Sequence, residues 1–382
     1  MESRNFQRYG VPLYGASWVP RAALQSTVDD SSTVETPTST SPEYLVLSGG
    51  GGEGNSGIPN ALLLTEFDRS VNSLSDEPVV RHGTGADLPY RMAVHPRGEG
   101  VICSFPDSCR WFDWENGENG RLGLKSSDRV LTELKDVGQQ LAFAFSEDGS
   151  LLAAGGEDGK LRVFKWPSME ILVNDGEAYK VVKDLHFSID GKYLVTLGSG
   201  GPCRVWDVLT STVVATLAKE NDEIFRFCRF SQRSDGDQVL CIVAFQGKGV
   251  NIISWRTDTW KRMSSKQIVR DSVTAFDVSV DGKLIAVGTN EGGILILDSS
   301  NMKLQMTLKK AHIGLVTALA FSHDSRALGS VSMDSSVRVT AVQDRTPKGF
   351  NNWIILLIII LALAAYFWKN KGSATEIFHF SH

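Results

Sequence analysis

A repeated pattern constrains the fold of this chain more than any other feature. Seven segments share an apolar stretch, a turn of the Asp-Gly type, a second apolar stretch, a glycine-rich turn and a third apolar stretch. In the clearest copies, Asp148 and Asp190 lie 42 residues apart, and Asp281 and Asp324 lie 43 residues apart. A period of this length is typical of four-stranded propeller blades. The sequence therefore predicts an all-β, seven-bladed β-propeller.

The copies differ in clarity, and one strand of the ring is not assigned. Four copies are plain, and weaker ones occupy residues 12–68, 89–114 and 224–255. The last copy supplies three strands and then reaches Pro347. Its fourth strand comes either from residues 2–9 or from residues 343–350, and the sequence does not choose between them. We expect the propeller to occupy residues 1–347, with WD-repeat-like blades.

The first copy contains a long glycine-rich loop at residues 48–60. Six of the nine residues from 49 to 57 are glycine, and Ile58 and Pro59 follow them. Glycine allows positive φ angles, so the backbone amides and carbonyls can turn toward a common point. The repeat pattern places this loop between the second and third strands of blade 1, where other blades have a short turn such as residues 155–159. We expect Ile58 to contact a partner; the alternative is a connecting loop with no role.

Several familiar chemistries are excluded. Residues 52–57 fit G-x-G-x-x-G, but Pro59 and a strand-like run follow instead of a helix, and no Gly-Lys-Ser/Thr occurs. No metal-binding His/Cys spacing or hydrolase motif is present, and His82 is interpreted as part of a polar connection between repeats. The net charge of −5 gives no reason to expect nucleic acid. Five cysteines without a C-x-x-C pair indicate buried thiols in a reducing compartment.

The C-terminal region has a different composition. Residues 353–368 form an apolar run with Trp353, Tyr366 and Trp368 at its ends and basic residues on both sides. This pattern predicts a single transmembrane helix, with a buried core helix as the alternative. No signal peptide precedes the repeats, so we expect residues 1–347 to be cytosolic and residues 369–382 to form a short lumenal tail. Residues 25–42, rich in Ser, Thr and Pro, are expected to be a disordered insertion in blade 1.

The propeller, the loop and the C-terminal anchor together resemble a known family. They are similar to the endoplasmic reticulum (ER) exchange factors that activate the Sar-type small GTPase of COPII coats, the prolactin regulatory element-binding protein family. The residues that carry the resemblance are Pro12-Leu13-Tyr14, the run from Gly49 to Gly52, and Gly57-Ile58 with Asn60. The resemblance implies a guanine nucleotide exchange factor without covalent chemistry, held in the ER membrane, that acts in ER-to-Golgi transport.

The resemblance also implies roles for the loop residues. Ile58 would be the key apolar contact with the GTPase, and Asn60 would hold the loop in shape. A potassium ion would organise the loop at its glycines, which are Gly49, Gly50, Gly51, Gly52, Gly54 and Gly57. Cargo or coat components are further partners that the family implies.

One departure and two alternatives accompany this interpretation. Many family members have a basic residue and Thr where this chain has Asn55 and Ser56, so one positive charge is missing. The phosphate transporter traffic facilitators, a related plant branch, imply the alternative of a non-catalytic ER-anchored adaptor that assists the exit of a cargo. A soluble scaffold propeller is a third hypothesis. The intact glycine run and Gly57-Ile58-Pro59-Asn60 favour the exchange factor.

Overall fold

The propeller predicted from the repeats is confirmed. The computed structural model describes residues 4–25, 42–54, 56–117, 120–232, 236–342 and 359–366. The strands of the described residues form seven antiparallel sheets, six with four strands and one with five. All of them belong to a compact unit at Met1–Ala341, and a second unit comprises Val342–His382.

The strands are numbered in chain order. A first strand, β1 (Phe6–Arg8), precedes blade 1, which contains β2 (Leu13–Trp18), β3 (Glu43–Gly49), β4 (Asn60–Asp68), β5 (Ser73–Leu74) and β6 (Val80–Gly85). Blade 2 contains β7 (Met92–Val94), β8 (Gly100–Ser104), β9 (Cys109–Asn116) and β10 (Leu122–Ser126). Blade 3 contains β11 (Gln140–Phe145), β12 (Leu151–Gly156), β13 (Leu161–Lys165) and β14 (Glu170–Asp175). Blade 4 contains β15 (Val181–Phe187), β16 (Tyr193–Ser199), β17 (Cys203–Asp207) and β18 (Thr212–Leu217).

The remaining blades follow the same order. Blade 5 contains β19 (Ile224–Gln232), β20 (Gln238–Gln246), β21 (Gly249–Arg256) and β22 (Arg262–Val269). Blade 6 contains β23 (Val273–Val278), β24 (Leu284–Thr289), β25 (Ile294–Asp298) and β26 (Leu304–Leu308). Blade 7 contains β27 (Val316–Phe321), β28 (Ala327–Ser332) and β29 (Ser336–Ala341). A short helix, α1 (Arg21–Gln25), and a 3-10 turn at Thr132–Leu134 lie in connections.

Strand β1 completes blade 7 and closes the ring. It pairs with β29, so that Phe6 lies opposite Arg338 and Arg8 opposite Ser336. The Asn5 side-chain amide adds a hydrogen bond of 2.8 Å to the Val339 carbonyl oxygen. Of the two segments that the sequence left open, residues 2–9 supply the closing strand, and residues 343–350 lie outside the described part of the chain.

Apolar side chains pack between neighbouring blades. Leu45 and Leu63 of blade 1, for example, are fully buried against Val331 and Val337 of blade 7. The second and third strands of a blade are covered on both faces, which explains their nearly continuous apolar runs in the sequence. All five cysteines are buried, as predicted.

The connections between strands lie on two opposite faces of the propeller. Because neighbouring strands run antiparallel, the connection between the second and third strands lies on the same side as the connection to the next blade. In blade 7, the N–H of Ile313, which precedes the first strand, accordingly donates to Asp334, which lies between the second and third strands, at 2.7 Å. We call this side the loop face, because it carries residues 50–59 of blade 1.

The outer strand of blade 1 contains a residue that was expected in a connection. His82 lies within β6, opposite Leu62, so its interpretation as part of a polar connection was wrong. The polar alternation of Val80–Gly85 suits an outer strand with one face in solvent, which resembles a loop in sequence. The predicted insertion at 25–42 lies between β2 and β3, but residues 26–41 are outside the described part of the chain.

The second unit is described only in part. Residues 359–366 are helical. Among the described residues, no helix is long and apolar enough to cross a membrane. The predicted transmembrane helix at 353–368 includes residues outside the described part and stays a prediction.

Blade 7 contains a buried hydrogen-bond network around His312. The two ring nitrogens of His312 lie 2.5 Å from Ser336 Oγ and 2.8 Å from Ser330 Oγ, and Ser336 also donates to Asp334. Burial lowers the pKa of His312 from 6.5 to about 4, although the Asp334 carboxylate acts in the opposite direction. The imidazole of His312 is therefore neutral in the folded protein at neutral pH.

We predict that this histidine makes the propeller less stable in mild acid. Since its folded-state pKa is depressed, the unfolded chain takes up the proton first, and stability is lost as the pH falls through 6.5 toward 4. Between pH ~7.5 and pH ~5 the loss from this group is about 2 kcal/mol. Urea unfolding of residues 1–342 at both pH values measures it. His312→Gln, which cannot titrate, should show a smaller pH dependence, and an equal pH dependence would contradict the assignment.

Candidate functional site

The glycine-rich loop joins the second and third strands of blade 1, as the sequence predicted. β3 ends at Gly49 and β4 begins at Asn60, so residues 50–59 form the connection. The same connection in blade 3 needs only residues 157–160. A connection that exceeds the length required to link two strands is where a rigid scaffold usually carries function.

The base of the loop is fixed by the segment before β2. The N–H of Gly50 donates to the Pro12 carbonyl oxygen at 2.9 Å. Gly49 and Gly50 are both buried, and a Cβ on Gly49 would overlap the Pro12 carbonyl. Close approach of the two backbones therefore requires glycine at position 49.

Asn60 is buried at the end of the loop and bonds both to Gly52 of the loop and to the turn at the end of β6. Its Oδ1 accepts the N–H of Gly52 at 2.9 Å, and its Nδ2 donates to the Gly52 carbonyl at 3.2 Å. The same Nδ2 also lies 3.1 Å from the Gly85 carbonyl and 2.9 Å from the Ala86 carbonyl, at the end of β6. Only 4% of Asn60 is exposed. One buried amide thus connects the loop to the outer strand of its own blade.

Steric constraints explain two further glycines. Gly50 has φ +150°, and a Cβ there would lie 2.6 Å from the Asn60 Cα. A Cβ on Gly51 would lie 2.8 Å from the Ile58 Cβ and would overlap Ser56 Oγ. Gly51 therefore sets how closely the returning arm of the loop, which carries Ile58, approaches the outgoing arm. A side chain at either position would move the loop.

The tip of the loop is exposed and contains Ile58. Its side chain is 37% exposed, and its N–H donates to Ser56 Oγ at 3.3 Å. Gly54 and Gly57 are exposed as well, and the Gly54 carbonyl accepts the N–H of Ser56 at 2.7 Å. The loop is not a routine tight turn, and Ile58 is not buried in the blade. A partly exposed aliphatic side chain on a fixed loop is suited to contact another macromolecule.

The loop has few groups that could perform covalent chemistry. Glu53 is its one charged residue in the described part. No group of three or more His, Cys, Asp or Glu side chains that could hold a metal ion occurs among the described residues. The loop does contain several backbone carbonyl groups, which are ligands suited to a monovalent cation.

Sequence reasoning missed the turn that supports Asn60. Gly85 and Ala86 accept hydrogen bonds only through their carbonyls, so no side-chain pattern identified them. The Thr84 hydroxyl donates to the Asp87 carbonyl at 2.7 Å and stabilises the same turn. The closely spaced Gly83 and Gly85, with φ +72° at Gly85, are the signal that could have indicated a turn here.

The fold and the sequence matches define a WD-repeat β-propeller protein. The family model described as "WD domain, G-beta repeat" matches residues 302–340, and the "Anaphase-promoting complex subunit 4 WD40 domain" model matches residues 143–258. SEC12-like protein 2 of Arabidopsis thaliana is 50% identical to this chain and the match covers 91% of each protein. SEC12-like protein 1 of the same plant is 30% identical, over 82% of this chain and 80% of its own length. The chain belongs to the SEC12-like family.

More distant relatives have a function in their names. The "Guanine nucleotide-exchange factor SEC12" of Rattus norvegicus is 23% identical to this chain, over 83% of this chain and 89% of its own length. The protein of the same name from Candida glabrata is 24% identical, over 94% of this chain and 77% of its own length.

We predict that Asn60→Ala loosens the loop while the blades persist. The change removes four hydrogen bonds and leaves backbone groups of Gly52, Gly85 and Ala86 unpaired. The free energy of unfolding should fall by about 3 kcal/mol. Amide hydrogen exchange at residues 50–54 should become faster. Ser56→Ala, which removes a single hydrogen bond of 3.3 Å, is the control and should change stability by about 0.5 kcal/mol or less. Unchanged protection of residues 50–54 in Asn60→Ala would show that Asn60 does not hold the loop.

Proposed function

We propose that this protein is a guanine nucleotide exchange factor for a Sar-type small GTPase, acting at the ER membrane to start COPII coat assembly. The observation that carries the proposal is the loop at residues 50–59, with Ile58 exposed at its tip and Asn60 buried within it. Relatives named guanine nucleotide-exchange factor SEC12 match most of the chain, which supports the same activity here.

Exchange of this kind needs no bond to be made or broken in the protein. A factor that binds the nucleotide-free GTPase more tightly than the loaded one must, by linkage, lower the affinity of the GTPase for its nucleotide. Segments of a GTPase that are ordered by the γ-phosphate and magnesium are natural targets of an inserted side chain. In this mechanism Ile58 contacts the GTPase. Asn60 holds the loop in a fixed conformation before binding, so that little free energy of binding is lost in ordering the loop.

We propose that a potassium ion binds to the backbone of this loop. The loop fits such an ion in one respect, because Gly50 and Gly51 carry no Cβ and the returning arm, including the Ile58 carbonyl, comes close to the backbone of Gly51. Carbonyl oxygens of Gly49, Gly50, Gly51, Gly52, Gly54 and Gly57 are the proposed ligands. When bound, the ion would offset the repulsion among the partial negative charges of these carbonyl oxygens. Asn60 and Pro12 orient the same backbone directly.

The proposed site of action requires an anchor. We propose that residues 353–368 span the ER membrane, with the propeller in the cytosol and residues 369–382 in the lumen. The described helical residues support this, because the side chains of Ile359, Ile360, Leu361 and Leu363 are each more than half exposed. Exposed aliphatic side chains in sequence are what a lipid-facing segment requires.

The alternative is a non-catalytic adaptor that assists the exit of a cargo. One observation keeps it in view: the relatives with at least 30% identity reported above are named SEC12-like, while those named exchange factors are 23–24% identical. An adaptor would use the same fold without needing Ile58.

We predict that the purified protein accelerates GDP release from a Sar-type GTPase and that Ile58→Ala lowers kcat/KM at least about tenfold. The expected loss corresponds to removing a buried aliphatic contact, about 1.5–3 kcal/mol. Release of a fluorescent GDP analogue measures it. Two variants in the same loop form a matched pair. Gly51→Ala should also lose activity, because its Cβ would displace Ile58. Gly54→Ala keeps the backbone carbonyl proposed to bind potassium, its Cβ meets no atom within 4 Å, and it should retain activity.

Two outcomes would decide against the exchange factor. If the wild-type protein does not accelerate release, the proposed activity is absent. If Ile58→Ala and Gly51→Ala both accelerate release as much as the wild-type protein does, the loop is not responsible for exchange. Cargo binding that persists in both variants, without exchange, would support the adaptor.

We predict that exchange is faster in potassium than in sodium at equal ionic strength. Sodium is smaller and binds its water more strongly, so it is a poorer substitute in a site formed by carbonyl dipoles. The ratio of kcat/KM in the two salts measures the effect, and amide hydrogen exchange of residues 50–54 gives a readout independent of activity. Equal rates and equal protection in both salts would remove potassium from the proposal.

A further inference from the structure

The first strand of most blades contains a bulge near its beginning, on the loop face. In blades 1, 3, 4, 5, 6 and 7 the pairing register with the second strand shifts by one residue at this point. A bulge leaves one residue without a partner on the neighbouring strand and turns its side chain in a new direction. The bulged residues, with Arg91 at the start of blade 2, are Tyr14, Leu141, Lys183, Arg226, Thr274 and Thr317.

These residues occupy equivalent positions at the start of the first strands, and five of them line the mouth of the central channel. Arg91, Leu141, Lys183, Thr274 and Thr317 line a cavity of about 160 Å³ that is bounded by the first strands of the blades. We call the seven residues the mouth ring. Three of its members are cations, Arg91, Lys183 and Arg226, and none is an acid.

The cations of the mouth ring have no acidic partner within the part of the chain that the structure describes. Among the described residues, no carboxylate forms an ion pair with Arg91, Lys183 or Arg226. Lys183 and Arg226 are exposed. Deeper in the channel the situation differs, because Arg229 lies 2.8 Å from Asp184 and 3.8 Å from Asp277. The fold therefore pairs the partly buried Arg229 with acids, whereas Lys183 and Arg226 are exposed and have no carboxylate partner among the described residues.

The mouth ring is connected to the base of the glycine-rich loop. The Arg91 guanidinium donates to the Tyr14 carbonyl at 2.9 Å and lies 4.8 Å from the centre of the Tyr90 ring. Tyr90 in turn contacts Tyr14, with 5.5 Å between ring centres. Ser48, the residue before Gly49, donates to the Tyr90 carbonyl at 3.3 Å. A partner that contacts Ile58 would thus lie beside this aromatic and cationic surface.

Exposed apolar residues complete the surface on blade 7, the blade next to the loop. Ile313 is 78% exposed and Met333 is 43% exposed, and both lie in connections on the loop face. Aromatic, arginine and methionine side chains are enriched in protein–protein interfaces. Exposed apolar area beside a small number of cations favours a folded protein over nucleic acid as the ligand, because a phosphate backbone would leave that area uncovered.

We propose that the mouth ring is a second docking surface for the GTPase and that it binds an acidic patch on that protein. The inference rests on the proposed function, since it assigns a further contact to the same partner. Lys183 and Arg226 attract the patch during encounter and fix its orientation, so that the loop reaches the nucleotide-binding side. Charges placed in this way raise the association rate and fix the orientation of the complex more than they raise the rate of nucleotide release from the bound GTPase.

The test compares two double charge reversals in the full-length protein in detergent. Lys183→Glu with Arg226→Glu changes the mouth ring. Lys303→Glu with Arg326→Glu changes two exposed residues on the opposite face by the same charge. With a purified Sar-type GTPase in salt of about 50 mM, the ring variant should show about a tenfold lower kcat/KM, caused by a higher KM at unchanged kcat. Its dependence on salt between about 50 and about 300 mM should become flatter. The control variant should match the wild type.

The outcomes separate this inference from the exchange activity itself. Ile58→Ala should lower kcat while keeping the wild-type salt dependence, because the mouth ring is intact. If the ring and control variants behave alike while the wild type accelerates exchange, the ring is not a docking surface and the proposed exchange activity stands. If the wild type shows no exchange, binding of the nucleotide-free GTPase at both salt concentrations still tests the ring, and salt-independent binding overturns it. A defect that appears only when phosphatidylserine vesicles are added would assign the ring to lipid and also overturn the proposal.

Discussion

The pairing of β1 with β29 is the interaction on which the other features depend. It joins segments from opposite ends of the propeller unit, since Asn5 and Val339 are separated by 334 positions along the chain. The same N-terminal segment then continues to the loop. The Tyr9 N–H bonds to the Ser335 carbonyl of blade 7 at 3.1 Å, and the Tyr9 hydroxyl bonds to the Ser75 carbonyl of blade 1 at 2.7 Å. Three residues later, Pro12 accepts the hydrogen bond from Gly50. Ring closure and loop position are therefore fixed by one short stretch of backbone.

The candidate site combines a fixed base with an exposed tip. The base is held by backbone contacts from Pro12 and by the buried amide of Asn60. At the tip, Gly54 has no atom within 4 Å of an added Cβ, whereas Ile58 is held by the hydrogen bond from its N–H to Ser56 Oγ and by its close approach to Gly51. This division of roles suits a protein that binds its partner strongly in one state and weakly in another, since little free energy is lost in ordering the contact residue.

The sequence predicted the features that depend on repetition and composition. Period and turn residues identified the blades, and the length of the glycine-rich loop identified its place between the second and third strands. The closing strand was not assigned, because Phe6–Arg8 is too short to show a pattern and its partner is at the other end of the propeller. The support from Gly85 and Ala86 and the bulges of the mouth ring were also missed. Backbone carbonyls and register shifts depend on tertiary pairing and have no side-chain signature. His82 was misplaced because an outer strand with alternating polar residues resembles a loop.

The Asn60 amide determines which positions of the loop tolerate substitution. By bonding to both the N–H and the carbonyl of Gly52, the Asn60 side chain alone closes residues 52–60 into a hydrogen-bonded loop. Substitutions at Glu53 or Gly54 would leave these hydrogen bonds intact. A Cβ added at Gly50 would overlap Asn60, and one added at Gly51 would overlap Ile58. The far end of the loop can therefore change in sequence while Asn60 and Ile58 keep their positions.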